Sequence, residues 1–211
     1  IVLALGGSVE TKEEAPMFYI YDWPTSVTNS FPDAFISGKS KVQHITADFK
    51  QNYGLGEVID INAGLYHTHQ YSLFSTVLAR LEENAHRTLD PEKASLFFIP
   101  YDVGMDATAR RSDGVMVQTS CPRSSEATSL LQNSKYFLKH SGRDHFMINS
   151  INQMMLFFLN EPCREVFKVC QECIKLGIDK YGVEHYRELR KLPEMHERWH
   201  SIPFPSNTHY N

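Results

Sequence analysis

The clearest periodicity in the chain lies over residues 71–86, where Leu73, Phe74, Val77, Leu78 and Leu81 recur at helical spacing and Glu82 and Glu83 fall on the opposite face. This predicts an amphipathic helix. Short apolar runs bounded by polar residues or proline predict buried strands: Met17-Phe18-Tyr19-Ile20-Tyr21 closed by Asp22, Trp23 and Pro24, Leu96-Phe97-Phe98-Ile99 closed by Pro100, and Phe146-Met147-Ile148-Asn149. A second amphipathic helix is predicted from Ser124-Ser125-Glu126 through Leu138, and two more over 153–159 and 163–176, parted by Glu161-Pro162. Residues 104–125, rich in Arg, Asp, Gly and Ser, read as a long surface loop, and Ile202-Pro203-Phe204-Pro205-Ser206-Asn207 as linker or loop. Strands alternating with helices predict an α/β fold, a Rossmann-like parallel sheet with helices on both faces.

Composition bounds this picture without adding chemistry. At 211 residues, 42% hydrophobic and 12% aromatic, the chain can bury the core of one domain. A net charge of -4 leaves no basic face for phosphates, which excludes nucleic-acid binding as the main work. No run is long enough to span a bilayer. The opening Ile1-Val2-Leu3-Ala4-Leu5 lacks an initiator Met, so the sequence reads as a fragment or processed form, and this stub as a buried strand or the last turns of a truncated signal anchor. The four cysteines, Cys121, Cys163, Cys170 and Cys173, permit a disulfide whose pairing the sequence leaves open. Cys170 and Cys173 share a helical face with no second ligand pair nearby, which favours buried thiols or one structural bridge over a redox or zinc site.

Chemistry is concentrated in Gly142-Arg143-Asp144-His145, directly before an apolar strand. Ligand sites in open α/β sheets collect near strand ends, so the tripeptide Arg143, Asp144 and His145 is a site candidate. Its plainer reading is a turn with a surface ion pair and a core histidine. His196-Glu197-Arg198-Trp199-His200 fits H-E-x-x-H, which would hold zinc on one helical face. Pro193 and Pro203 confine that helix, Arg198 sets a cation beside a dication, and the third ligand that zinc needs is left to His209 or a residue upstream. His67 and His69 form a second chelate only if extended, and otherwise lie in a polar loop. Tyr53-Gly54-Leu55-Gly56-Glu57 lacks the full phosphate-loop fingerprint and reads as a turn.

Three cassettes in order, the aromatic strand ending Tyr21-Asp22-Trp23-Pro24, the run from Gln70-Tyr71-Ser72-Leu73 through Arg87-Thr88-Leu89-Asp90-Pro91-Glu92-Lys93-Ala94 to Phe97-Phe98-Ile99-Pro100-Tyr101, and Gly142-Arg143-Asp144-His145-Phe146, resemble the exostosin-like glycosyltransferases of family 47 over about residues 17–205. The chain departs from the family pattern at Phe74, where an acid is common, and at Phe137 and Lys139, where Trp and Arg are usual.

The resemblance implies the N-terminal, acceptor-side half of a GT-B architecture. Residues 1–16 form a stub or linker, 17–200 the exostosin-like domain, and 201–211 a Pro-rich linker toward a donor domain after Asn211. It implies inverting transfer of a sugar from a UDP- or GDP-sugar to a glycan or glycoprotein acceptor, with no tightly bound cofactor or metal. It further implies a Golgi lumenal setting with a membrane anchor outside this sequence, and it allows a related subunit as partner. Asp144 or His145 is then the expected base, with Arg143 orienting a carboxylate or phosphate. Tyr21, Asp22, Tyr101, Asp102 and Gly142 are expected around the acceptor, aromatic faces stacking on sugar and carboxylates taking hydroxyls. Two alternatives stand beside this: a non-catalytic carbohydrate-binding or partner module of the same fold, motivated by Phe74, Phe137 and Lys139, and a zinc metallohydrolase through His196, Glu197 and His200.

Overall fold

The computed structural model describes residues 15–28, 52, 55–66, 68, 73–110, 116–118, 121–150, 160–178 and 198–203. Six strands form the central sheet: β1 (Phe18–Ile20), β4 (Arg87–Thr88), β5 (Leu96–Ile99), β8 (His145–Asn149), β9 (Ile174–Gly177) and β10 (Trp199–Ser201). Two further pairs, β2 (Val58–Asp60) with β3 (Leu65–Tyr66) and β6 (Thr108–Arg110) with β7 (Met116–Gln118), form antiparallel hairpins outside it. The sheet runs β10-β9-β8-β5-β1-β4 with every neighbouring pair parallel.

Alternation along the strands sorts their side chains onto two faces. Tyr21, Phe97, Ile99 and Met147 meet buried Val27 of α1 (Thr25–Thr28), Ala127 and Leu131 of α4 (Ser124–Gln132), Phe137 of α5 (Lys135–His140), and Val166 and Phe167 of α6 (Glu161–Val169) in one apolar cluster. Phe98 and Ile148 point the other way, onto Leu73 and Phe74 of α2 (Leu73–Glu82). The fold is therefore the α/β, Rossmann-like parallel sheet that the alternation predicts, with helices on both faces. Among the described residues no helix is long and apolar enough to cross a membrane.

Three segments differ from the sequence reading, each for a local reason. Where 104–125 read as loop, the chain forms α3 (Val103–Asp106) and the β6–β7 hairpin. Asp102 caps α3 by accepting from the Gly104 N–H at 2.9 Å. Tyr101 donates its hydroxyl to Asp106 Oδ2 at 2.7 Å, and Arg123 pairs with Asp106 Oδ1 at 3.0 Å, so charged residues that look solvent-seeking satisfy one another inside. The helix expected through Leu138 is two helices: α4 stops at Asn133, and Ser134 opens α5 by accepting from the Phe137 N–H at 3.4 Å.

The helix expected over 163–176 ends at Cys170, and residues 174–177 join the sheet instead as β9. Asn160 caps α6 and Pro162 occupies its first turn. Lys175 is fully buried in β9, where its ammonium donates to the carbonyls of Gln171 at 2.9 Å and Cys173 at 3.0 Å. Cys121 and Cys163 form a disulfide joining the approach to α4 to the start of α6, while Cys170 and Cys173 are buried thiols. The helix expected over 153–159, His67, His69, and residues 1–14 and 204–211 lie outside the described residues.

Candidate functional site

β4 lies on one side of β1 and β5 on the other, and every later strand of this sheet adds beyond β5. Chain connections diverge at the carboxyl ends of β1 and β5, the position where open α/β sheets form their ligand crevice. A cavity of about 680 Å³ opens beside β1 and reaches this edge, with Tyr21, Asp22, Trp23, Thr25 and Pro100 in its wall. Asp22 is exposed there, directly after the strand, while the Trp23 side chain beside it is buried.

Tyr101 and Asp102 stand at the same edge but face inward. Both are fully buried. Tyr101 spends its hydroxyl on Asp106, and burial drives its phenol well above the usual range. Asp102 Oδ1 accepts from the N–H groups of Gly104 and Ser150, the latter at 3.2 Å, and joins the ends of β5 and β8. Burial pushes the Asp102 carboxyl up to about 6, against the hydrogen bonds from Ser150 and Gly104 that lower it.

Gly142, Arg143, Asp144 and His145 occupy the opposite, amino edge, roughly 13 Å away along β8. Gly142 has φ of +78°, and an added Cβ would sit 2.8 Å from both Cys173 Sγ and the Phe137 ring, so backbone and packing both require glycine. Arg143 is exposed and pairs with Glu172 at 3.1 Å. Asp144 divides its carboxylate, with Oδ1 2.7 Å from His145 Nδ1 and Oδ2 3.8 Å from His140 Nε2.

His145 is sealed in the core. Its ring stacks on Phe97 at 4.9 Å and meets the edge of Phe137 at 5.0 Å. Its Nε2 lies 2.7 Å from Tyr21 Oη, which lies 2.8 Å from Ser134 Oγ. Burial lowers the His145 pKa, with Asp144 opposing, and burial raises the Tyr21 phenol far above its ordinary range. A neutral imidazole with Nδ1–H donating to Asp144, and Nε2 accepting from the Tyr21 hydroxyl, satisfies the whole chain. Both ring nitrogens are thus engaged inside the protein.

The structure therefore divides the sequence candidates between two edges. Asp22, Tyr101 and Asp102 stand at the carboxyl edge. Gly142, Arg143, Asp144 and His145 stand at the amino edge, and Tyr21 bridges them by rooting after β1 and sending its hydroxyl to His145. Phe74 stacks on Phe98 at 6.1 Å in the α2 core, and Phe137 packs on His145, whereas Lys139 lines a cavity at the amino edge. His200 lies on strand β10, so the helical zinc chelate expected of H-E-x-x-H is not formed there; His196 and Glu197 lie outside the described residues. Arg123 and Asp106, which pair at the carboxyl edge, belong to no sequence motif and are 17 residues apart, so only the fold brings them together.

Comparison with known proteins adds two relatives from Arabidopsis thaliana. The chain is 24% identical over 132 residues to "Probable xyloglucan galactosyltransferase GT20", covering 62% of this chain and 23% of that protein. It is 28% identical over 102 residues to "Xyloglucan-specific galacturonosyltransferase 1", covering 48% of this chain and 15% of that protein. The chain thus spans less than a quarter of the length of these relatives. No solved structure matches significantly. The family model described as the Exostosin GT47 domain matches residues 13–202, nearly the whole chain, and together with the parallel α/β sheet this places the protein in the exostosin glycosyltransferase 47 family.

Proposed function

We propose that this chain is the acceptor-side part of an inverting glycosyltransferase that moves a sugar from a UDP- or GDP-sugar to a glycan or glycoprotein hydroxyl. The observation that carries this reading is the cavity at the carboxyl ends of β1 and β5, with Asp22 exposed in its wall beside Trp23. In this reading Asp22 holds the acceptor hydroxyl or takes its proton as the glycosidic bond forms. The donor binds in a region of the longer protein outside residues 1–211, whose positive charge or helix dipoles offset the departing diphosphate without a tightly bound metal. A glycan-polymer acceptor, supported by the names of the two relatives, and a Golgi lumenal location, expected of the family, belong to the same proposal.

Asp144 and His145 enter the proposal as positioning residues. A base role for His145 would require opening the core around a ring whose nitrogens already meet Asp144 and Tyr21. Transfer assays on the full-length protein against UDP- and GDP-sugars, with and without EDTA, test the reading. We expect Asp22→Asn to lower kcat/KM at least about 100-fold with unchanged melting temperature. We expect Asp144→Asn to lower the melting temperature more than the turnover of folded protein. Full activity in Asp22→Asn removes that residue, and silence of the folded wild type across all donors favours a non-catalytic carbohydrate-binding module.

A further inference from the structure

We infer a second saccharide site at the amino edge of the sheet, shaped for a neutral, hydroxyl-rich oligosaccharide and separate from the transfer cleft. A cavity of about 630 Å³ opens where the 3-10 turn Pro91–Lys93 faces α5 and the turn leading into β8. Cavities of this size hold small molecules. Its position across the sheet from Asp22 means that a sugar bound here is not the one being transferred.

The floor is aromatic and held still. Tyr136, half-buried, stacks on buried Phe97 with ring centroids 5.3 Å apart and planes 24° apart. Its hydroxyl donates to Glu92 Oε1 at 2.7 Å, and the same oxygen accepts from Lys135 Nζ at 2.7 Å. Hydrogen bonding to Lys135 and Tyr136 lowers the Glu92 pKa, keeping it a carboxylate. Glu92 is itself placed by a turn that Asp90 caps and Pro91 starts.

Around that floor the polar groups come in opposing pairs. Glu92 and Asp144 present carboxylates, Lys139 and Arg143 present cations, and His140 also lines the wall; Lys135 pairs with Glu92 and Glu172 with Arg143, which leaves the two signs balanced. A charged ligand is attracted by one pair and repelled by the other. Hydroxyl groups can donate to the first and accept from the second, and the C–H face of a sugar ring packs on the Tyr136 ring by displacing the exposed Lys135 ammonium, which lies over it 4.8 Å from the centroid. The match is to a neutral saccharide rather than to a uronate, a phosphate or a cation.

The test uses the full-length protein, calorimetric titration and saturation-transfer NMR with a neutral xyloglucan heptasaccharide, and an oligogalacturonide of similar length as the charged comparison. Tyr136→Ala should weaken heptasaccharide binding about tenfold or more through the lost stacking. Glu92→Gln should weaken it severalfold. The Tyr136-dependent binding should persist in Asp22→Asn, and it should persist even if the protein proves inactive, so this site and the transfer reading fail separately. Should Tyr136→Ala fold poorly, Glu92→Gln decides, because that side chain is 67% exposed. Binding unchanged in a folded Tyr136→Ala, or in Glu92→Gln when the former does not fold, overturns the site, as does stronger binding of the oligogalacturonide.

Discussion

Tyr21 Oη and His145 Nε2 lie 2.7 Å apart across 124 residues of sequence, joining the strand that begins the sheet to the strand at its middle. Tyr21→Phe removes the donor and leaves a buried imidazole nitrogen without a partner. We expect a loss of about 1–3 kcal/mol in unfolding free energy by urea titration. An unchanged midpoint would show that another group satisfies Nε2.

The same histidine sets a pH limit. Burial holds its folded pKa below the ordinary value of 6.5, so the unfolded chain takes up the proton first as pH falls. The stabilisation from a neutral His145 is complete above about pH 6.5 and is lost as pH drops from there toward the folded pKa. His145→Phe should flatten this part of the stability curve, even though it lowers stability at pH 7 by stranding Asp144 and Tyr21.

Asp102 titrates with the opposite sign. Its folded pKa of about 6 lies above the ordinary 3.8, so the folded state holds its proton longer and stability from this group falls as pH rises from about 4 to 6. The shift corresponds to about 3 kcal/mol at neutral pH. Asp102→Asn keeps the shape without the charge. Its unfolding free energy relative to wild type should therefore rise across that interval, and a constant difference would place the buried charge elsewhere.

Gly142→Ala must fit a methyl group 2.8 Å from Cys173 Sγ and the Phe137 ring at a positive φ. Left-handed strain and overpacking together predict a loss of about 2–5 kcal/mol. Cys173→Ala in the same chain should return part of it by opening space on one side. No recovery would assign the whole cost to the backbone and Phe137.

Cys121→Ser with Cys163→Ser opens a loop of 42 residues, for which the chain-entropy treatment gives about 4 kcal/mol. Thermal melts should fall accordingly, while Cys170→Ser should respond through packing alone. Equal effects of the two changes would contradict the pairing.

The sheet was legible because Phe18 to Ile20, Leu96 to Ile99 and His145 to Asn149 are short apolar runs set between breakers, and α2 because Leu73, Phe74, Val77 and Leu78 hold one period. β9 was hidden by Lys175, whose charge argues for a solvent face until its partners, the Gln171 and Cys173 carbonyls, are seen. The α3 turn was hidden for the same reason, since Asp106 and Arg123 are far apart in sequence and meet only after folding. The site chemistry was visible as residue types, and one further signal was present in their order. Arg143 and Asp144 precede their strand, while Asp22 and Asp102 follow theirs. In a parallel sheet before and after mean opposite edges, so the division of the candidates follows from direction alone.

β1 sits between β4 and β5, and both of those strands come from residues beyond 86. During synthesis Phe18, Tyr19 and Ile20 leave the ribosome with no neighbour to pair with until β4 and β5 have followed. Tyr21 then waits longer, for the imidazole at position 145. Assembly of this sheet is governed by long-range closure, so it should be slow and should expose an aromatic strand to chaperones or to its own copies until the middle of the chain arrives.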